Sequence, residues 1–159
     1  MADSLADGNT RVSWVGAIAV ETAPTVAELN AGILLSSVIT PEGLIGFEAS
    51  TADVDTSALD STYDTVDIGR DSFSGTMLRL KKQTTGDTAF TTLVRAAVGF
   101  VVIRRDIAST TAYAAVQACE VYPAKCGRRR NLAPEKNSVR KYEVPIKLYR
   151  APSIDAVIA

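Results

Sequence analysis

The sequence contains no histidine, which removes the commonest general base and the commonest metal ligand. Its two cysteines, Cys119 and Cys126, are separated by six residues, a spacing that matches neither a CxxC redox pair nor a zinc-ligand set. Two reduced thiols are expected. Glycine-rich phosphate loops and a G-x-S-x-G nucleophile elbow are absent, and the serines of DSFSG have no base beside them. Asp53-Val54-Asp55 imitates the start of a calcium loop but lacks the glycine and closing glutamate of an EF-hand. No catalytic, cofactor-binding or metal-binding residue is therefore expected, and the chain reads as a non-enzyme. The longest apolar runs, WVGAIAV and AAVGFVVI, fall far short of the ~20 residues that a membrane span needs. MADSLADGNT carries acids where a signal peptide carries bases. A cytoplasm-like site of synthesis and no membrane partner follow as expectations.

With 159 residues, 47% of them hydrophobic, the chain suits one domain spanning residues 1–159 with a buried core. The net charge of −1 gives no global pull toward nucleic acid, but it conceals two opposed blocks. Residues 48–69 hold six acids (Glu48, Asp53, Asp55, Asp60, Asp64, Asp67) and no base, and apolar residues occur there singly, without period. That stretch reads as a long acidic loop, and such loops are usually functional or disordered. Residues 124–141 hold seven bases (Lys125, Arg128, Arg129, Arg130, Lys136, Arg140, Lys141) against Glu135 alone.

Between these blocks the periodicity is mostly that of strands. RVSWVGAIAV predicts a first strand with Val12, Trp14, Ile18 and Val20 on one face. Thr25 and Glu28 have capping-box spacing, Pro24 stops the strand and Gly32 can close a helix over 26–31. ILLSSVIT and LIGFEAS are expected as strands joined by a turn at Pro41, Glu42 and Gly43. Leu78 and Leu80 share one face of the next strand, Arg79 and Lys81 the other. Asp87 can cap a helix whose apolar stripe is Phe90, Leu93 and Val94. GFVVIRR, nearly continuous in apolar residues, reads as a central strand. In the final strand Tyr142, Val144, Ile146 and Leu148 face in, while Lys141, Glu143, Lys147 and Tyr149 face out. Pro145, lacking an N–H, belongs at an edge or bulge. A mainly β fold follows: an antiparallel β-sandwich or barrel with a flanking α-helix. The polar N-terminal arm (1–11) and the tail (151–159) are expected as extensions, and an arm of this composition has little to hold it on its own domain.

The basic block admits three readings: a solvated hairpin tip, a nucleic-acid footprint, or a partner for the acidic block of another copy. Only Tyr122 and Tyr142 lie near it, which is few for single-strand stacking. Complementary patches on one chain suit a head-to-tail contact, which builds rings or filaments.

The arm, the strand WVGAIAV and the segment APTVAELNAGILLSSVITPEGL, with residues 25–32 the most specific part, resemble the major tail tube proteins of long-tailed bacteriophages, particularly those of actinobacteria. The resemblance covers nearly the whole chain. It implies a fold similar to the type VI secretion tube protein and contractile-tail tube proteins, with a β-sandwich and flanking helix. It also implies hexameric rings stacked into a virion tail channel for genome ejection, assembled in the host cytoplasm. The implied partners are further copies of the chain, tape-measure protein, tail-tip or terminator proteins, and DNA in transit. Loop, arm and tail would bind neighbouring subunits. Contact candidates are Asp53, Asp55, Asp60, Asp64 and Asp67 against Lys125, Arg128, Arg129 and Arg130. Basic channel walls would bind phosphates, so an acidic or neutral lumen is expected, with Glu48, Glu120 and Glu143 as lining candidates. The alternatives are another ring-forming virion protein, a terminator or connector, and a monomeric β-barrel nucleic-acid-binding module.

Replacing Arg128, Arg129 and Arg130 together by Ser is expected to weaken stacking, read as tube formation at low and high salt. Unchanged tubes at both would exclude this pairing.

Overall fold

A computed structural model describes residues 3–159, so Met1 and Ala2 of the expected arm lie outside the described residues. The elements in chain order are β1 (Arg11–Val15), α1 (Val26–Asn30), β2 (Ile33–Leu34), β3 (Ile39–Ile45), β4 (Ser50–Asp55), β5 (Val66–Ser72), β6 (Met77–Lys81), α2 (Thr88–Thr92), β7 (Val98–Arg104), β8 (Ala118–Cys126), β9 (Arg130–Asn131), β10 (Lys141–Leu148) and β11 (Ser153–Val157). One antiparallel sheet runs β2-β1-β7-β8-β10-β6-β3, with β11 added to β8 and β9 to β10; β4 and β5 form a separate two-stranded sheet.

The two ends of the long sheet, β2 and β3, are joined by only residues 35–38. Four residues reach at most about 14 Å, so the sheet must curl until its ends approach. Its end strands are not hydrogen-bonded to each other. The fold is therefore mainly β and antiparallel with small helices, as expected, and its one long sheet is a half-barrel that does not close.

The curl is built where strands change partner. In β8, Val121 faces Ser153 of β11, whereas Ala124 faces Leu148 of β10. Pro123 sits between the two partners. In β10, residues up to Pro145 pair with β6, and Ile146 onward pairs with β8. Proline cannot donate to a ladder, so both prolines stand where the ladder changes hands.

Both faces of β7 are covered, which explains its unbroken apolar run. Val101 and Ile103 join Trp14, Leu35, Leu78, Leu80, Tyr122, Val144 and Ile146 inside the curl, with Ala89 of α2 and Leu93, which caps its end. Phe100 and Val102 join Val15, Leu29 of α1, Cys119, Val121, Ala156 and Ile158 on the opposite face. Cys119 and Cys126 fall in different clusters, seven positions apart on one strand, or roughly 23 Å. No disulfide can join them. Burial raises their thiol pKa values to about 11 and about 12.

Local signals were read correctly where they were local. Thr25 and Glu28 form the capping box, and Glu28 Oε1 also accepts from the Ala19 N–H at 2.8 Å. Asp87 caps α2 by accepting from the Phe90 N–H.

Other expectations are corrected. Pro41, Glu42 and Gly43 lie inside β3, where the pairing with β6 shifts register, so the expected turn is a bulge within one strand; the expected break falls earlier, at residues 35–38 between β2 and β3. β1 stops at Val15; Ile18 joins the other cluster and Val20 is exposed. α2 ends before Val94, which is also exposed. The segment 48–69 is not loop throughout: 50–55 lie in β4 and 66–69 in β5, and 56–65 form the loop of this hairpin. Its pattern lacked period because neither face is buried; Thr, Val, Ile and Tyr still favour extended backbone. The tail is β11, held by β8 on one side and by hydrogen bonds from the Val157 and Ala159 N–H groups to Thr22 and Pro24 on the other.

Gly99 allows β7 to approach β1. A Cβ there would lie 2.6 Å from Trp14 Cζ2 and 2.8 Å from the Val15 carbonyl oxygen. Gly99→Ala is expected to cost about 1–3 kcal/mol through overpacking. The check is a lower denaturation midpoint together with a shifted emission of Trp14, the sole tryptophan.

Candidate inter-subunit interface

The β4–β5 hairpin is exposed along nearly its whole length. Asp53 faces Ile68, Asp55 faces Val66, and Val54 faces Asp67. Directly opposed residues share a face, so one face carries Asp53, Asp55, Val66 and Ile68 together. Ile68 is 82% exposed, and at the tip Leu59 is fully exposed and Tyr63 78% exposed. Such side chains are normally hidden, and their concentration on one projecting element makes it a candidate contact surface. The tip is nevertheless shaped. The Ser61 N–H donates to the Ala58 carbonyl and its hydroxyl donates to the Tyr63 carbonyl at 2.6 Å. Asp55 accepts from the Ser57 N–H, which holds its carboxyl below the ordinary range. A bulge sets Ala52 against Gly69, where a Cβ would meet the Ala52 carbonyl oxygen at 2.5 Å. Asp60 and Asp64 lie in the tip, each following an exposed Leu59 or Tyr63.

The basic block is divided by the structure. Arg130 donates to Glu143 Oε2 at 2.5 Å, and Arg79 donates to Oε1 from Nε and Nη2 at 3.0 and 2.8 Å. The register dictates this clamp: Glu143 faces Arg79 of β6 on one side and Arg130 of β9 on the other. Glu143 lies on the expected outer face, but the two arginines cover it and leave it 4% exposed. Arg129 stacks over Phe90, 3.8 Å from the ring centroid, and donates to the Phe90 carbonyl. Lys82 Nζ lies 4.2 Å from the same ring and pairs with Asp87. Lys125 and Arg128 remain exposed and make no ion pair among the described residues.

The remaining acids separate likewise. Glu120 accepts two hydrogen bonds from Arg105, at 2.8 and 3.2 Å, and one from the Tyr122 hydroxyl at 2.9 Å. Glu48 is exposed beside this group and makes no ion pair among the described residues.

Two features escaped the sequence reading. Arg104 is fully buried, and its guanidinium donates to the carbonyls of Ala108, Thr111 and Ala112 and to Gln117 Oε1, all at 2.8–3.0 Å. It thereby pins residues 105–117 over the sheet end; the signal was a charge closing a continuous apolar strand. The arm is tied to that segment, with the Ser4 hydroxyl donating to Asp106 and the Ser109 N–H donating to the Gly8 carbonyl. Arg95, the second, joins Arg128, Arg129, Asn131 and Phe90 around a cleft of about 260 Å³. Nothing in its local sequence marked it. Among the described residues there is no cluster of metal-ligating side chains, and no helix is long and apolar enough to cross a membrane.

A family model described as phage tail tube protein matches residues 1–159. A chain in the six-fold symmetrised cryo-EM structure of the anti-feeding prophage baseplate is similar in fold. Its TM-score is 0.58 at 9% identity, over 96% of this chain and 95% of that chain. Comparison with curated proteins returns no match.

Burial alone would raise the pKa of Glu143, but the hydrogen bonds and charges of Arg79 and Arg130 outweigh it and hold the carboxyl below its ordinary value. Its contribution is complete above the unfolded value, ~4.3, and is lost as pH falls through the depressed folded value. Glu143→Gln is expected to cost about 1–3 kcal/mol at neutral pH. It should also flatten the loss of stability below about pH 4.5, measured by urea denaturation across the acid range.

Proposed function

The chain belongs to the phage tail tube proteins, a structural tail component of the virion, and on that premise we propose that it forms hexameric rings that stack into the channel for genome delivery. The observation that carries this reading is the β4–β5 hairpin. A lone two-stranded hairpin is marginal in water, and this one holds Val54, Leu59, Tyr63, Val66 and Ile68 in solvent. Such an element is stabilised by a neighbour. Acids on the hairpin and unpaired bases elsewhere on the chain make the contact heterologous, the type that extends into rings and tubes.

Glu48, exposed and unpaired, is the lumen candidate best placed to repel DNA; Glu120 and Glu143 are already neutralised within the chain. The tape-measure, tail-tip and terminator proteins are the further partners of this reading, virus particles of actinobacteria its setting, and host cytoplasm its place of assembly. A terminator or connector role predicts a single ring instead. A monomeric nucleic-acid module is the weaker alternative, because Arg129 and Arg130 are committed to Phe90 and Glu143.

Size-exclusion chromatography and negative-stain imaging of the purified chain test the proposal. Stacked rings or tubes are expected; a single ring supports the terminator reading, and a monomer at high concentration sinks both. Replacing residues 56–65 by Asn-Gly should leave the denaturation midpoint of the body nearly unchanged and abolish assembly.

A further inference from the structure

The cleft lined by Phe90, Arg95, Arg128, Arg129 and Asn131 contains three guanidinium groups and no carboxylate. Its walls are fixed by backbone. Ala96 adopts φ 70°, its N–H donates to the Cys126 carbonyl, and the Cys126 N–H donates to the Ala97 carbonyl. This stitch places Arg95 beside the end of β8, from which Arg128 follows. Arg129, lying over Phe90, forms a third wall.

A second basic feature lies nearby. Lys125 of β8 directly faces Lys147 of β10, and both are exposed. Like charges directly opposed across strands destabilise a sheet. Neither forms an ion pair among the described residues. The same register sets Lys125 against Val98 of β7, three residues beyond Arg95. Ala124, Cys126 and Ile146 point into the core on which Phe90 packs, so the lysine pair lies on the other face of the sheet, and the cleft keeps its own charge for an outside anion to balance.

The hairpin tip has the matching chemistry. Leu59-Asp60 and Tyr63-Asp64 each present an exposed apolar side chain followed by a carboxylate, in a turn already braced by its own hydrogen bonds. A phenol ring stacks favourably on a guanidinium, and carboxylates form short, charge-assisted bonds to arginine. The hairpin strands pair only with each other, so the tip is available to another chain.

We infer that the Arg95–Arg128 cleft is the socket for the hairpin tip of a second copy, with Tyr63 entering against Phe90 and Arg129, and Asp60 and Asp64 meeting Arg95 and Arg128. This rests on the assembly proposed above and names the two surfaces that meet. It also moves the contact away from Arg130, which is occupied by Glu143.

Charge exchange tests it. Arg95→Glu with Arg128→Glu gives a chain acidic at both tip and socket; Asp60→Lys with Asp64→Lys gives one basic at both. None of the four residues makes an ion pair among the described residues, so both variants should keep the wild-type denaturation midpoint. Each alone is expected to yield about tenfold less pelletable assembly than wild type, through like-charge repulsion. Mixing the two should restore assembly, with the copies alternating. Undiminished assembly of either variant, or no rescue on mixing, overturns the socket. Wild type run alongside separates the two ideas: if it assembles while the exchange has no effect, only the socket fails, and if it never assembles the tube reading fails with it.

Discussion

The four-residue link between β2 and β3 constrains everything else in this fold. It ties together strands that stand at opposite ends of one long sheet. The sheet must therefore curl, and curling requires strands that can leave one neighbour and take another. β8 and β10 do so at Pro123 and Pro145. The curl creates an inside, filled by Trp14, Leu78, Leu80, Tyr122 and Val144, and an outside, which α1 and the C-terminal strand cover. With both faces covered, exposed apolar side chains are scattered over the body, as at Leu5, Val98, Val116 and Ile154, while five of them, Val54, Leu59, Tyr63, Val66 and Ile68, stand together on the projecting hairpin.

Arginine serves this molecule in distinct ways, and burial decides which. Arg104, sealed under the 105–117 segment, finds only carbonyl and amide oxygens, and its charge becomes a pin for an irregular stretch of backbone. Arg79 and Arg130 are half open to water and share one carboxylate; that pairing joins three strands across a row. Arg95 and Arg128 stand in solvent and make no ion pair among the described residues. The first two groups hold the chain together, and the last is not spent within it. A subunit that spends all its charges internally has none for assembly; this one keeps acids on the hairpin and bases on the cleft, which suits a tail tube protein.

The helices were legible because their signals are local. Thr25 and Glu28 are three residues apart, and Asp87 stands directly before its helix, so spacing alone fixes the caps. β7 was legible because both of its faces are buried. β4 and β5 were not, because periodicity reports burial and this hairpin buries neither face. Glu143 was assigned to the correct face, yet its exposure was misjudged, since alternation gives direction and not what lies beside a residue. Arg129 and Arg130, adjacent to Arg128 in sequence, diverge in role for the same reason: Phe90 and Glu143 reach them only through pairing of distant segments.

By itself the sequence determined the mainly β character, the positions of both helix caps, the opposition of an acidic and a basic block, and the likeness to tail tube proteins. These depend on neighbours within a few residues or on composition, which folding does not alter. The tertiary structure alone decided the open curl, the strand character of 50–55, of 66–69 and of the tail, and which charges are consumed within the chain. Each of those turns on contacts between residues tens of positions apart, and strand register, not spacing along the chain, settles them.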